Sequence, residues 1–184
     1  MLSGRRLDLL NPSPLDIEIV DIAHGLARVA RWNGQTEGSY PFSVAQHSLL
    51  VERIVQELRP GLSRPHRLAA LLHDAPEYVI GDLISPFKAA VGLDYKDFER
   101  KLLATIHIRF GLPARVSEEL SELIKRADRI SAFYEATQLA RFDATEARKY
   151  FGRPPARTRA PILEPLPAAD AQRQFLERFR RLAP

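Results

Sequence analysis

The sequence predicts an all-α, single-domain bundle. Apolar residues recur at three- and four-residue intervals over most of the chain, the spacing of a helix that buries one face. No segment shows the alternating pattern of a half-buried strand. Glycine and proline cut the periodic stretches into helix-length pieces. The 184 residues suit one domain with a core that needs no staples.

The elements follow in order. Met1 to Pro14 reads as an irregular arm. Ser13-Pro14-Leu15-Asp16 can open a helix, with Ser13 as cap and Pro14 at its first position. Ile17-Glu18-Ile19 fits either helix or extended chain, and the helix proper is expected over Asp21–Ala30. Asn33-Gly34 signals a turn, and the polar stretch to Pro41 a loop. Ser43 caps a helix whose apolar stripe includes His47, Val51, Ile54 and Leu58, stopped by Arg59-Pro60-Gly61. Ser63 caps the next, expected over Arg64–Val79 and closed by Gly81. Ser85-Pro86 starts a short helix that Gly92 ends, and Asp94 caps one reaching Phe110, with Tyr95, Phe98, Leu102 and Ile106 as its stripe. A long helical region over Pro113–Phe142, bent at most once, carries Leu120, Ile124, Ala127, Ile130 and Tyr134 inward. A shorter helix over Asp143–Phe151 and an amphipathic one over Ala168–Leu182 complete the chain, the latter turning Phe175, Leu176 and Phe179 inward. Residues 1–152 are read as the main body, and 153–184 as a Pro/Arg-rich segment plus a last helix packed on the same domain.

Composition narrows the chemistry. With no cysteine, thiolate metal sites, disulfides and a cysteine nucleophile are excluded. No apolar run approaches the ~20 residues of a membrane span. Arg5, Arg6 and Asp8 interrupt any signal-peptide core, so a cytoplasmic protein with no membrane partner is expected. Residues 153–184 hold seven Arg against three acidic residues and so carry the whole net charge of +4. Such a tail suits nucleic acid or phosphate-rich partners, but a solvated surface is the commoner use, and nucleic acid is not the expected partner.

The chemistry-bearing stretch is Leu71-Leu72-His73-Asp74-Ala75-Pro76-Glu77. On a helix His73 and Asp74 lie ~100° apart, and Glu77, one turn on, shares their face. Inward ionisable groups cost free energy unless paired, hydrogen-bonded or bound to a metal. Alone, the pair reads equally well as a buried His–Asp hydrogen bond. His47 on the preceding helix and Asp128 on the long one tip the balance, since three inward faces each carry ligand-type side chains. Two imidazoles and two carboxylates suit a divalent first-row metal with open positions. His24, His66 and His107 are read as structural or surface residues. Arg31-Trp32 lies at the lip of a loop, where a guanidinium can grip phosphate and an indole can face a sugar or base; Trp32 equally suits a core anchor.

His47, His73-Asp74 and Asp128 resemble the H…HD…D pattern of the HD-domain phosphohydrolase superfamily. Arg31-Trp32, Ser48, Glu77, Gly81-Asp82-Leu83, Pro86, Lys88, Arg126 to Arg129 and Glu135 resemble its bacterial 5′-deoxynucleotidase-like branch, over about Asp21 to Phe142. The resemblance implies an all-helical HD-type fold, commonly dimeric, that dephosphorylates deoxyribonucleoside 5′-monophosphates with one divalent metal: Co, Mn, Mg, Ni, Fe or Zn. It implies His47, His73, Asp74 and Asp128 as metal ligands and Arg31 on the phosphate, Trp32 against the sugar and Lys88 as a further phosphate contact. Glu77 and Asp82 would handle protons around the attacking water. Asn33-Gly34-Gln35 departs from the branch in the substrate-facing loop, and the Pro/Arg-rich end has no counterpart in it. Alternatives on the same scaffold are hydrolysis of a cyclic nucleotide or a guanosine alarmone, or a non-catalytic nucleotide-binding module.

Overall fold

A computed structural model describes residues 1–82 and 93–184, the latter with side chains from residue 96 onward. The expected helix over Ser85–Gly92, with Pro86 and Lys88, lies outside the described residues, as do Leu83 and the side chains of Asp94 and Tyr95. Among the described residues the architecture is all-α, and its one extended pairing is an isolated bridge.

The chain enters through a 3-10 turn, Pro14–Asp16, capped by Ser13, and Ile17 is fully buried just behind it. Helix α1 is Ile19–Leu26, starting earlier and stopping sooner than Asp21–Ala30. It packs on the short helix Glu77–Ile80 through Gly25, where a Cβ would stand 2.7 Å from the Tyr78 carbonyl oxygen. After α1 the chain forms an antiparallel bridge between Ala30 and Ser43, with Arg31 N–H on the Phe42 carbonyl and Val44 N–H on that of Val29. This clip closes the 31–42 loop at its base and fixes Arg31 and Trp32 beside the start of α2.

Helix α2, Val44–Leu58, is the axis of the bundle, and Ser43 caps it by accepting from the Gln46 N–H. It packs against the helices over Arg64–Leu71, Glu118–Gln138 and Ala168–Leu182, and eleven of its fifteen residues are buried. A helix enclosed on most sides must settle its polar groups internally, and α2 carries His47, Ser48 and Glu52 into that interior.

Helix α3 is Arg64–Leu71, and a turn over residues 72–76 separates it from α4, Glu77–Ile80. The continuous helix expected to Val79 therefore does not form, and His73 and Asp74 sit in the turn. Pro76 is the reason: it has no N–H to donate, and its ring disfavours helix in the residues before it. Gly81, at φ 76°, ends α4 and leads into Asp82.

Helix α5 is Leu93–Arg109 and buries Leu102, Ile106 and His107. Helix α6, Glu118–Gln138, is one unbroken helix that begins five residues later than Pro113; Ser117 caps it and Glu118 and Glu119 fill its first turn. The expected stripe of Leu120, Ile124, Ala127, Ile130 and Tyr134 is buried. Helix α7, Ala144–Phe151, is capped by Asp143. Residues 152–167 run without helix or strand, held by two side-chain amides: Gln46 bonds the Glu164 carbonyl and the Leu166 N–H, and Gln138 bonds the Pro161 carbonyl and the Leu163 N–H. Helix α8, Ala168–Leu182, buries Ala171, Phe175, Phe179 and Leu182, whereas Leu176 is only partly covered.

Candidate metal centre

Three elements deliver the ligand-type side chains to one place. His47 comes from the first turns of α2, His73 and Asp74 from the turn that Pro76 forces, and Asp128 from the middle of α6. His47, His73 and Asp128 offer ligand atoms that all lie within 4.8 Å of one another. Asp74 joins them: its Oδ2 is 3.4 Å from His47 Nε2 and 3.3 Å from His73 Nε2. Asp128 Oδ1 is 3.3 Å from His47 Nε2. The side chain of His47 is fully buried, while that of Asp128 is 43% exposed, so the cluster opens to solvent on the α6 side.

The tautomers decide what this cluster can hold. His73 Nδ1 is 2.9 Å from the Ala70 carbonyl oxygen, which can only accept, so that nitrogen carries the hydrogen. His47 Nδ1 is 2.6 Å from Glu135 Oε1, and the carboxylate likewise takes its proton. In the neutral rings both Nε2 atoms are then lone pairs. Both are buried, and neither has a hydrogen-bond partner. They face carboxylate oxygens, acceptor against acceptor, an arrangement that a cation between them resolves. His47, His73 and Asp128 could hold a metal ion, with Asp74 within reach, and outer hydrogen bonds fix each imidazole as in known metal–histidine sites.

Electrostatics point the same way. Burial and the Arg31 charge both oppose protonation of His47, yet Glu135, Asp128 and Asp74 raise its pKa well above the ordinary histidine value. Burial opposes the charge on Asp74, but His73 and His47 hold its carboxyl well below the usual range. Asp128 is lowered too, by His47 against the cost of burial. A positive charge is wanted here, as a proton or as a metal that displaces it.

Behind the cluster lies a group that the sequence reading quoted only as part of a resemblance. Glu135 is fully buried on α6. Its Oε1 accepts from His47 and from Ser131, at 2.6 and 2.8 Å. Its Oε2 accepts from Arg31 Nε at 3.3 Å and from Trp32 Nε1 at 2.9 Å. Burial pushes the Glu135 carboxyl up, but Arg31, His47 and Ser131 together hold it far below its ordinary value. The available signal was spacing: Asp128, Ser131 and Glu135 lie three and four residues apart, one stripe of an inward-facing helix.

Arg31 spans Glu135 and Asp82, with Nη1 3.2 Å from Asp82 Oδ2. Burial works against its charge, but Glu135, Asp82, Asp74 and Asp128 raise its pKa further above the arginine norm. Trp32 and Asn33 adopt left-handed backbone at φ 56° and 52°, a strained state for a bulky residue. The indole is half-buried rather than a core anchor; it meets Phe142 and Phe151 with ring centroids at 5.7 and 5.9 Å. Glu77 is buried at the start of α4, its N–H on the Asp74 carbonyl. The structure thus joins His47, His73, Asp74, Asp128, Arg31, Asp82 and Trp32 through direct contacts, with Glu77 tied in through the backbone; Lys88 lies outside the described residues.

No family model matches the chain. It is 54% identical to the uncharacterized protein RCAP_rcc00048 of Rhodobacter capsulatus over 183 residues, covering 99% of this chain and 93% of that one. It is 33% identical to the uncharacterized protein YfdR of Escherichia coli K12 over 168 residues, covering 91% of this chain and 85% of that one. At these identities and coverages, the chain belongs to the family that contains these two uncharacterized proteins.

Proposed function

We propose that the chain is an HD-type, metal-dependent phosphohydrolase that removes phosphate from deoxyribonucleoside 5′-monophosphates. The observation that carries this reading is the pair of tautomer-locked imidazoles facing two carboxylates, with a guanidinium held beside them. A divalent metal held by His47, His73, Asp74 and Asp128 would lower the pKa of water and draw charge from a phosphoryl oxygen. Arg31, held in place by Glu135 and Asp82, presents a charged donor to the phosphate and stabilises charge as the ester bond breaks. Water adds to phosphorus, the bond to the sugar 5′ oxygen breaks, and inorganic phosphate and a nucleoside leave. The water gives up one proton and the departing oxygen gains one; Glu77, buried just after the His73–Asp74 turn, and Asp82, paired with Arg31, would carry them. Trp32, pinned by Glu135 and two phenyl rings, gives the sugar a rigid wall with no acceptor for a 2′-hydroxyl. That wall favours deoxyribose. A homodimer is the expected assembly of this branch.

The test is phosphate release from a nucleotide panel with added Mn²⁺ or Co²⁺: paired dAMP and AMP, a cyclic nucleotide and a guanosine alarmone. Expected are hydrolysis of the 5′-monophosphates, a higher kcat/KM for dAMP than for AMP, and a narrower gap in Trp32→Ala. Asp128→Ala should lose both metal and activity. Turnover of only the cyclic or alarmone substrate would move the assignment to another nucleotide, and binding without turnover would make the chain a regulatory module. Full metal content in Asp128→Ala would refute the ligand set.

A further inference from the structure

Away from the metal centre, α2, α3 and α8 pack against one another. A cavity of about 600 Å³ opens where α8 ends and α3 begins, and five arginines line it: Arg64 and Arg67 from α3, and Arg178, Arg180 and Arg181 from α8. One buried carboxylate answers them. Glu52 of α2 accepts from Arg67 Nε at 2.6 Å and from Arg178 Nη1. Among the described residues, Arg64, Arg180 and Arg181 have no carboxylate partner, so the pocket carries several uncompensated guanidinium charges.

The start of α3 adds an independent observation. Its first turn has no acidic residue and holds Arg64 and Arg67, cations at the positive end of the helix dipole. Ser63, the cap residue, makes no side-chain bond to the helix N–H groups; its hydroxyl pairs with the His66 ring instead. Guanidiniums that repel one another beside a helix start with no side-chain cap are what an anion settles.

We propose that this pocket binds a compact oligophosphate, a run of linked phosphates such as inorganic tripolyphosphate or the triphosphate arm of a nucleotide. Guanidiniums bind phosphate oxygens with two parallel donors each, and several spread over two helix ends match several phosphates rather than one. Gln56 and Leu182 complete the lining, with no aromatic ring to stack a base, so the phosphates alone are recognised. Three of the seven arginines of residues 153–184 thereby acquire a use, since they line this pocket.

Calorimetric titration of the full chain with tripolyphosphate and with ATP, at about 0.15 M salt, tests the site. The two ligands should bind with similar affinity. Two double variants, Arg64→Ser with Arg181→Ser and Arg180→Gln with Arg181→Gln, leave the Glu52 pairs intact. Each should weaken binding about tenfold or more, as expected for lost charge-assisted contacts. Arg31→Ala should bind as wild type does. If circular dichroism shows one double variant unfolded, the other decides. The proposal is overturned if wild type shows no saturable binding, or if Arg31→Ala abolishes it while both double variants retain it. Much tighter binding of ATP than of tripolyphosphate would also overturn it, by requiring base contacts the pocket lacks. Displacement of tripolyphosphate by a single-stranded RNA oligomer at lower concentration would make the patch a nucleic-acid surface instead.

Discussion

Glu135 shows how one side chain can organise a site without facing its ligand. Its two oxygens take four donors: His47, Ser131, Arg31 and Trp32. It therefore sets the His47 tautomer, aims the guanidinium and pins the indole together. Glu135→Ala leaves His47 free to choose either tautomer and removes one of the two carboxylates on Arg31. Loss of such an outer partner typically costs about 10–100-fold in metal affinity. Metal titration of the variant checks this, and wild-type affinity would reduce Glu135 to a packing residue. Trp32 is the single tryptophan, so its emission reports the same event. It should shift to longer wavelength when the indole N–H loses its carboxylate and gains water, and an unmoved spectrum would count against the pinning.

Between elements, α1 against α4 is a close contact beside the site. Gly25 lets the α1 backbone approach Tyr78, and an added Cβ would meet Tyr78 O, Cβ and Cα at 2.7, 2.8 and 3.0 Å. Two of those three atoms are backbone, so the neighbour cannot rotate away. Gly25→Ala should destabilise the fold by about 1–3 kcal/mol, the usual cost of overpacking, although alanine is the better helix former. Urea denaturation measures it, and a stabilised variant would show that α4 shifts freely. Because α4 begins with Glu77, the proposed phosphohydrolase reading predicts a lower kcat in the same variant, with metal retained.

Over the whole molecule, a buried histidine outside the candidate metal centre makes stability depend on pH. His107 is buried on α5, and burial lowers its pKa below the ordinary histidine value. The unfolded chain takes up a proton there near pH 6.5, whereas the folded chain resists until lower pH. The unfolded state then binds more protons, so this contribution is full above the unfolded pKa and is lost as pH falls through the folded one. His107→Leu should abolish that component. Urea midpoints of wild type and variant, compared at pH 7.5 and 5.5, should differ more at the lower pH in favour of the variant. A pH-independent difference would show that His107 does not titrate differently on folding.

The sequence by itself determined the all-α class, the capping residues Ser13 and Ser43, and the inward stripes of α2 and α6. These are local properties: side-chain period and cap chemistry are written within a few residues of where they act. His47, His73, Asp74 and Asp128 were legible as a set because ligand-type residues on apolar faces stand out against their neighbours. Tertiary structure decided the rest. The turn at His73-Asp74 follows from Pro76, a local signal outweighed by the apolar run that favoured a continuous helix. Glu135 acquired its importance only where α6 meets the 31–42 loop, residues a hundred positions apart. Gly25 matters only because α4 lies against it, and the arginines of α3 and α8 form one pocket only because α2 holds both helices through Glu52. Burial and charge pairing depend on which faces meet in space, and no window of sequence contains both sides of such a contact.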